Sequence, residues 1–228
     1  GDWIFCLVRT DPDKPKHEGI SLVLVDMDQP GVRARPIQLV SGNSPFCETS
    51  FEDAIVAKDD LIGEINHGWS VGKRLLQYER SVHGGVNTSG AQVKEETQSL
   101  SDIARQYIGV QGNRISDPAI RDRLLRLEMN DHSYGLTQRR VIAETNASAP
   151  ALATSILKVK GAEFTKERAE VEQHAMGMRG FAWEDDNFTQ QENETNKNWL
   201  TTRAVSIYGG TSEIQKNIIA KRVLGLPD

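Results

Sequence analysis

Apolar residues fall in short blocks over the first quarter of the chain: Trp3 to Val8, Ile20 to Val25, Val32 to Leu39 and Phe46 to Phe51. Stretches rich in Pro, Asp and Gly, such as Asp11 to Gly19 and Gln29-Pro30-Gly31, separate them. Blocks of this length, carrying β-branched and aromatic residues between turn formers, predict strands and hence a small β-sheet module. From about Trp69 the apolar period lengthens to three or four residues, which predicts helices. The first runs from about Trp69 towards Gln106, where Gly84, Gly85 and Gly90 lower helix propensity and permit close packing or a kink. A second starts with Asp117 as N-cap and Pro118 at the first helical position, with Ile120, Leu124 and Leu127 as its apolar stripe. A third, from about Ala151 to Met176, carries Leu152, Ile156, Val159, Phe164 and Val171 towards one face. A short helix over Trp199 to Ile207 and a terminal one over Ser212 to Val223, stopped by Gly225 and Pro227, complete a bundle. The polar stretch Asp185 to Asn198 reads as a mobile loop. The fold class is therefore α+β, with the change of class at the polar, Gly-containing connection Lys58 to Gly68.

Composition narrows the functional classes. With 228 residues and 38% hydrophobic content the chain is long enough for a real core. Its 27 basic and 32 acidic residues leave a net charge of −5 with no long run of either sign, which argues against nucleic acid or an anionic membrane as partner. No stretch has the length of a membrane span and no signal peptide is visible, so a secreted protein is not expected. Cys6 and Cys47 have neither metal-ligand spacing nor a disulfide framework, which points to a reducing compartment and ordinary thiols. The histidines His17, His67, His83, His132 and His174 show no metal-binding spacing, so no metal is expected. A Walker or Rossmann glycine pattern is absent as well.

The segment Ile207-Tyr208-Gly209-Gly210-Thr211-Ser212-Glu213-Ile214-Gln215 carries the clearest chemistry. Two glycines let the backbone turn tightly and approach a ligand, and Ser212 with Gln215 has capping-box spacing. The unpaired N–H groups of such a helix start attract a phosphate, carboxylate or polarised carbonyl oxygen. An ordinary loop entering a surface helix has the same spacing.

The longer string through Arg222 resembles the C-terminal signature of the acyl-CoA dehydrogenases, flavoenzymes that oxidise the Cα–Cβ bond of an acyl thioester. Leu61-Ile62-Gly63-Glu64 with Gly68-Trp69, then Glu79-Arg80, then Met176-Gly177-Met178-Arg179-Gly180-Phe181 follow in that family's order. The resemblance covers essentially the whole chain and only the later part of such an enzyme. It implies that residues 1–57 are part of a middle β-sandwich or barrel domain and that residues 58–228 are the C-terminal antiparallel four-helix bundle. It also implies FAD as cofactor, an acyl-CoA substrate, a trans-2-enoyl-CoA product, an electron-transfer flavoprotein as acceptor, and a homotetramer or dimer of dimers. The compartment implied is the bacterial cytoplasm or the mitochondrial matrix.

The reaction so implied needs a base for the α-proton, donors to the thioester carbonyl, and an oxidised flavin for the β-hydride. Many relatives carry the base in the signature loop, at the position that here is Gly209. In the isovaleryl and long-chain branches it stands instead before an Arg on the first bundle helix, and Glu79-Arg80 matches that pattern. Glu79 is thus the expected base, with Arg80 and the backbone of Gly209 and Gly210 lining the substrate site. Thr211 and Glu213 fall at flavin-contacting positions, although Glu213 stands where several relatives have Gln. Arg105 resembles the Arg that pairs with the flavin pyrophosphate across a subunit interface, but the following residues are irregular and Arg114 is the alternative match. His174 falls where relatives use Gln near the adenine side of FAD, and Gly177 closes that helix beside the cofactor. The competing reading is a non-catalytic subunit that keeps the bundle for assembly.

Overall fold

The computed structural model describes residues 1–83, 98–146 and 154–227, with backbone only at 77–83 and 145–146. The chain forms two compact units, Gly1–Glu79 and Arg80–Asp228.

In the first unit β1 (Trp3–Arg9), β2 (Ile20–Asp26) and the two-residue β5 (Leu61–Ile62) form an antiparallel sheet in the order β1-β2-β5. The register pairs Trp3 with Asp26 and Arg9 with Ile20. Leu22, Val23 and Val25 of the central strand are buried, as a strand flanked on both edges should be. A separate ribbon pairs β3 (Val32–Ile37) with β4 (Phe46–Phe51), Val32 opposite Phe51. The expected third strand thus ends two residues early, because Leu39 turns its N–H to the Asn43 carbonyl and starts the connection.

Helix α1 (Gly68–His83) is seated on this sheet at its first residue. A Cβ on Gly68 would stand 2.3 Å from the Leu22 nitrogen, so only glycine allows the helix start to touch the strand backbone. His17 stacks on Trp69 with ring centroids 4.3 Å apart, clamping the same end. The expected single helix to Gln106 is instead two: α2 (Leu100–Ile108) begins afresh at Ser99, whose side chain accepts from the Asp102 N–H. A serine with its own N-cap geometry sets a new helix origin. Gly84, Gly85 and Gly90 lie outside the described residues.

The second unit is built around α4 (Thr154–Met176), which packs against α2, α3 (Pro118–Asn146), α5 (Gln190–Thr201) and α6 (Ser212–Ile218). The start of α3 is the one expected: Asp117 Oδ1 accepts from Ala119 N at 2.7 Å and Ile120 N at 3.0 Å. Ile120, Leu124 and Leu127 are buried with Ile103, Ala104, Val171, Ala175 and Met176 in the main core. Leu152 lies outside the described residues. The hairpin β6 (Val110–Gln111) and β7 (Arg114–Ile115) links α2 to α3.

The stretch expected to be a loop, Asp185 to Asn198, is mostly α5. Thr189 and Glu192 form a complete capping box, and buried Glu192 and Thr195 give this polar segment an inward face made of hydrogen bonds instead of apolar side chains. Past α6 the backbone widens to a π-helical turn over Ile219–Val223. Among the described residues no helix is long and apolar enough to cross a membrane.

Candidate functional site

A 3₁₀ turn over Thr202–Ser206 delivers the chain into the glycine loop. Gly209 and Gly210 have φ of +66° and +90°, which L side chains rarely adopt. Thr211 is extended and its hydroxyl accepts from the Ile214 N–H at 3.3 Å, so Thr211 is the N-cap and the Ser212 capping box expected from spacing does not form. Ser212 already has helical geometry, and only the last non-helical side chain can reach over the first turn. Gln215, 1% exposed, instead sends its Nε2 back to the Gly209 carbonyl at 3.2 Å. The Gly209–Gly210 peptide is trans, so the Gly210 N–H points opposite to the Gly209 carbonyl and therefore away from Gln215. The Glu213 carboxyl is held below the ordinary glutamate value by its own backbone N–H and by the Thr211 hydroxyl, so it folds over the first turn of α6.

One further anchor of this loop was not legible in the sequence. Lys158, buried on α4, donates to the Val205 carbonyl at 2.6 Å, and its Nζ lies 5.8 Å from the Tyr208 ring centre. A lysine inside Ile156-Leu157-Lys158-Val159 carries no sequence signal of burial. Gln215 Oε1 is buried and has no hydrogen-bond partner among the described residues.

Arg105, in the last turn of α2, and Arg114, on β7, line one groove of about 510 Å³ together with Arg121 of α3. The β6–β7 hairpin turns at Gly112-Asn113, pairing Gln111 with Arg114 and returning the Ser116 N–H to the Gly109 carbonyl at the end of α2. Arg121 is committed to the Ile115 and Ser116 carbonyls, and Asp122 and Glu128 line the same groove as Arg105 and Arg114.

His174, exposed in the last turn of α4, has Nδ1 2.6 Å from Arg123, which also pairs with Glu170 at 3.2 Å. A guanidinium only donates, so Nδ1 is the acceptor and the ring proton sits on Nε2. Gly177 adopts φ of +58° where α4 ends, with open space where a Cβ would stand. Gly180 has a packing reason: its Cβ would stand 2.4 Å from the Gln173 carbonyl oxygen. Below this turn Glu192, 1% exposed, accepts from Arg179 at 2.7 Å, Tyr107 at 3.0 Å and the Thr189 N–H at 2.7 Å. Burial pushes its carboxyl upward, but the Thr189 N–H, the Tyr107 and Thr189 hydroxyls and Arg179 outweigh that and hold it below the ordinary value. The spacing Thr189-x-x-Glu192 was the available signal for this centre.

Glu79 and Arg80 stand on α1, Glu79 eleven residues after Gly68 and so about 16 Å along the helix. Their side chains lie outside the described residues.

Residues 66–224 match the family described as "Acyl-CoA dehydrogenase, C-terminal domain". The chain belongs to the acyl-CoA dehydrogenase family. It is 36% identical over 231 residues to acyl-CoA dehydrogenase IpdE1 of Mycobacterium tuberculosis, covering 99% of this chain and 55% of that one. The chain thus spans a little over half the length of IpdE1 and 29% of acyl-CoA dehydrogenase FadE34 of the same organism, to which it is 32% identical over 99% of its own length. Among solved structures, the "Tcur3481-Tcur3483 steroid ACAD" superposes with a TM-score of 0.83 at 22% identity, over 99% of this chain and 57% of that one. The ChsE4-ChsE5 complex from Mycobacterium tuberculosis superposes with a TM-score of 0.76 at 20% identity, over 100% and 58%. Both show the same fold: short strands followed by the helical bundle of the acyl-CoA dehydrogenases.

Proposed function

We propose that the protein is an FAD-dependent acyl-CoA dehydrogenase that converts an acyl-CoA thioester to its trans-2-enoyl-CoA. The observation that carries this reading is the Gly209-Gly210-Thr211 turn, with two left-handed glycines, inside a matched acyl-CoA dehydrogenase domain.

FAD fits the residues present. Gly209 and Gly210 hold left-handed φ that turn backbone N–H groups outward, Gln215 Oε1 is a buried acceptor without a partner among the described residues, and Arg105 and Arg114 line one groove, alongside Asp122 and Glu128, with forks of the kind that suit a pyrophosphate. In this reading Arg105 or Arg114, His174, Gly177, Thr211 and Glu213 hold the cofactor, whose chemistry when bound is to accept the β-hydride. Glu79 takes the α-proton. A carboxylate does this efficiently only when desolvation raises its proton affinity and the thioester carbonyl is polarised. The backbone N–H groups of Gly209 and Gly210 polarise that oxygen, a role that needs no side chain and so tolerates glycine at the position where many relatives carry their base. Arg80 lines the same region. The division of labour between Glu79 and Gly209 favours branched, long or bulky acyl groups. The domain boundary near Lys58–Gly68, an electron-transfer flavoprotein acceptor and a homotetramer or dimer of dimers complete the proposal.

A second reading, a non-catalytic subunit of a heteromeric enzyme, is favoured by one observation, glycine in place of a loop carboxylate at position 209. One experiment separates the two. The purified full-length protein should show a flavin spectrum that bleaches anaerobically with an acyl-CoA, and Glu79→Gln should abolish bleaching while keeping the flavin. A colourless protein that ignores CoA thioesters overturns the first reading, and rapid bleaching in Glu79→Gln removes Glu79 as the base.

A further inference from the structure

Lys158 has an unusual position for a cation. It is 3% exposed, and among the described residues no carboxylate lies within ion-pair distance of its ammonium. Its neighbours on α4, Leu157 and Val159, are buried apolar side chains. A buried charge without a counter-ion lowers stability, and an apolar side chain of similar volume would fill the same space. Burial, with a contribution from Lys166, holds the amine below its ordinary proton affinity. The ammonium has three donors. One goes to the Val205 carbonyl at 2.6 Å, and the group lies 5.8 Å from the centre of the Tyr208 ring. Both contacts are to the five residues that lead into Gly209 and Gly210.

We propose that Lys158 is a positioning residue for the glycine loop, and that its charge beneath the loop, which no carboxylate pairs among the described residues, biases the backbone donors towards a thioester oxygen that has become enolate-like. This deepens the acyl-CoA dehydrogenase reading and rests on it. The carbonyl side of the loop is engaged from within the bundle, by Lys158 at Val205 and by Gln215 at Gly209. The two contacts fix which way the intervening peptides face. A fixed positive charge on the closed side then stabilises negative charge on the open side. A neutral ligand of the same shape gains nothing from that charge, which separates this role from simple support of the fold.

The test uses the full-length flavin-loaded protein and two CoA probes. Acetoacetyl-CoA can lose its C2 proton to solvent and bind as an enolate, whereas the thioether S-butyl-CoA has no carbonyl. Lys158→Met removes the charge and keeps an apolar stem of similar length, and Lys158→Arg keeps the charge. Lys158→Met should weaken acetoacetyl-CoA binding about tenfold and diminish the bound enolate absorbance, while S-butyl-CoA affinity changes by less than about twofold. Lys158→Arg should retain most of the enolate absorbance. Equal losses for both probes, or no loss for either, overturn the proposal. A wild-type protein that binds neither probe overturns the thioester reading itself, and the proposal with it.

Discussion

Replacing Gly210 by alanine adds one methyl group where the loop is most constrained. The new Cβ would stand 2.4 Å from Gln215 Nε2, far inside contact distance, and φ is +90°. Holding an L-residue in that backbone region costs roughly 1–3 kcal/mol. Gln215 is 1% exposed, so its amide can yield only by leaving the Gly209 carbonyl. Losing that bond adds about 1 kcal/mol. The sum, roughly 2–4 kcal/mol, corresponds to a fall in Tm of roughly 4–16 °C for a domain of this size. Differential scanning calorimetry of wild type and variant, with flavin content read from the visible spectrum, measures both consequences. The variant should melt earlier and retain less flavin, because the same turn supplies the proposed donors. An unchanged Tm together with full flavin occupancy would refute the reasoning, since the turn would then be tolerant of a side chain. Gly135→Ala serves as the internal contrast. Among the described residues no atom beyond its own helix backbone and chain neighbours stands within 4 Å of a Cβ there, and the residue lies inside α3, so alanine should stabilise by about 0.5–1 kcal/mol through helix propensity.

Glu192→Gln should lower stability by roughly 1.5–3 kcal/mol in urea unfolding at neutral pH, because the variant loses the charge-assisted bonds from Arg179 and Thr189. The folded Glu192 carboxyl lies below its ordinary value, so its stabilising contribution is complete above about pH 4.3 and is lost as pH falls through the lowered folded value. Wild type should therefore lose stability below that pH more steeply than Glu192→Gln. Parallel acid-unfolding curves for the two proteins would show that Glu192 is not the group responsible.

The strands, the Asp117-Pro118 start of α3 and the buried stripe Ile120, Leu124, Leu127 were legible because each rests on local chemistry: turn formers, a cap, a period. Family membership was legible for a related reason, since Ile207 to Gln215 and Met176 to Phe181 keep residue types that a turn or a helix end requires. Helix α5 was missed because its inward face is Glu192 and Thr195, and a polar face that is satisfied inside the protein has the same letters as one that is solvated. The break before α2 was missed because apolar period continues across it while Ser99 restarts the helix.

What the amino-acid order determined by itself was which segments can turn, cap and bury, and therefore the family and the glycine loop. The tertiary structure alone decided which atoms face that loop. Thr211 instead of Ser212 caps α6, Gln215 closes back on Gly209, Lys158 reaches Val205 from forty-seven residues upstream, and Arg105 and Arg114 share a groove. Caps and periods are set within a few residues, by sterics and backbone hydrogen bonding. The partners of a buried lysine or glutamine depend on which distant helices pack together, and that is settled only when the whole core closes.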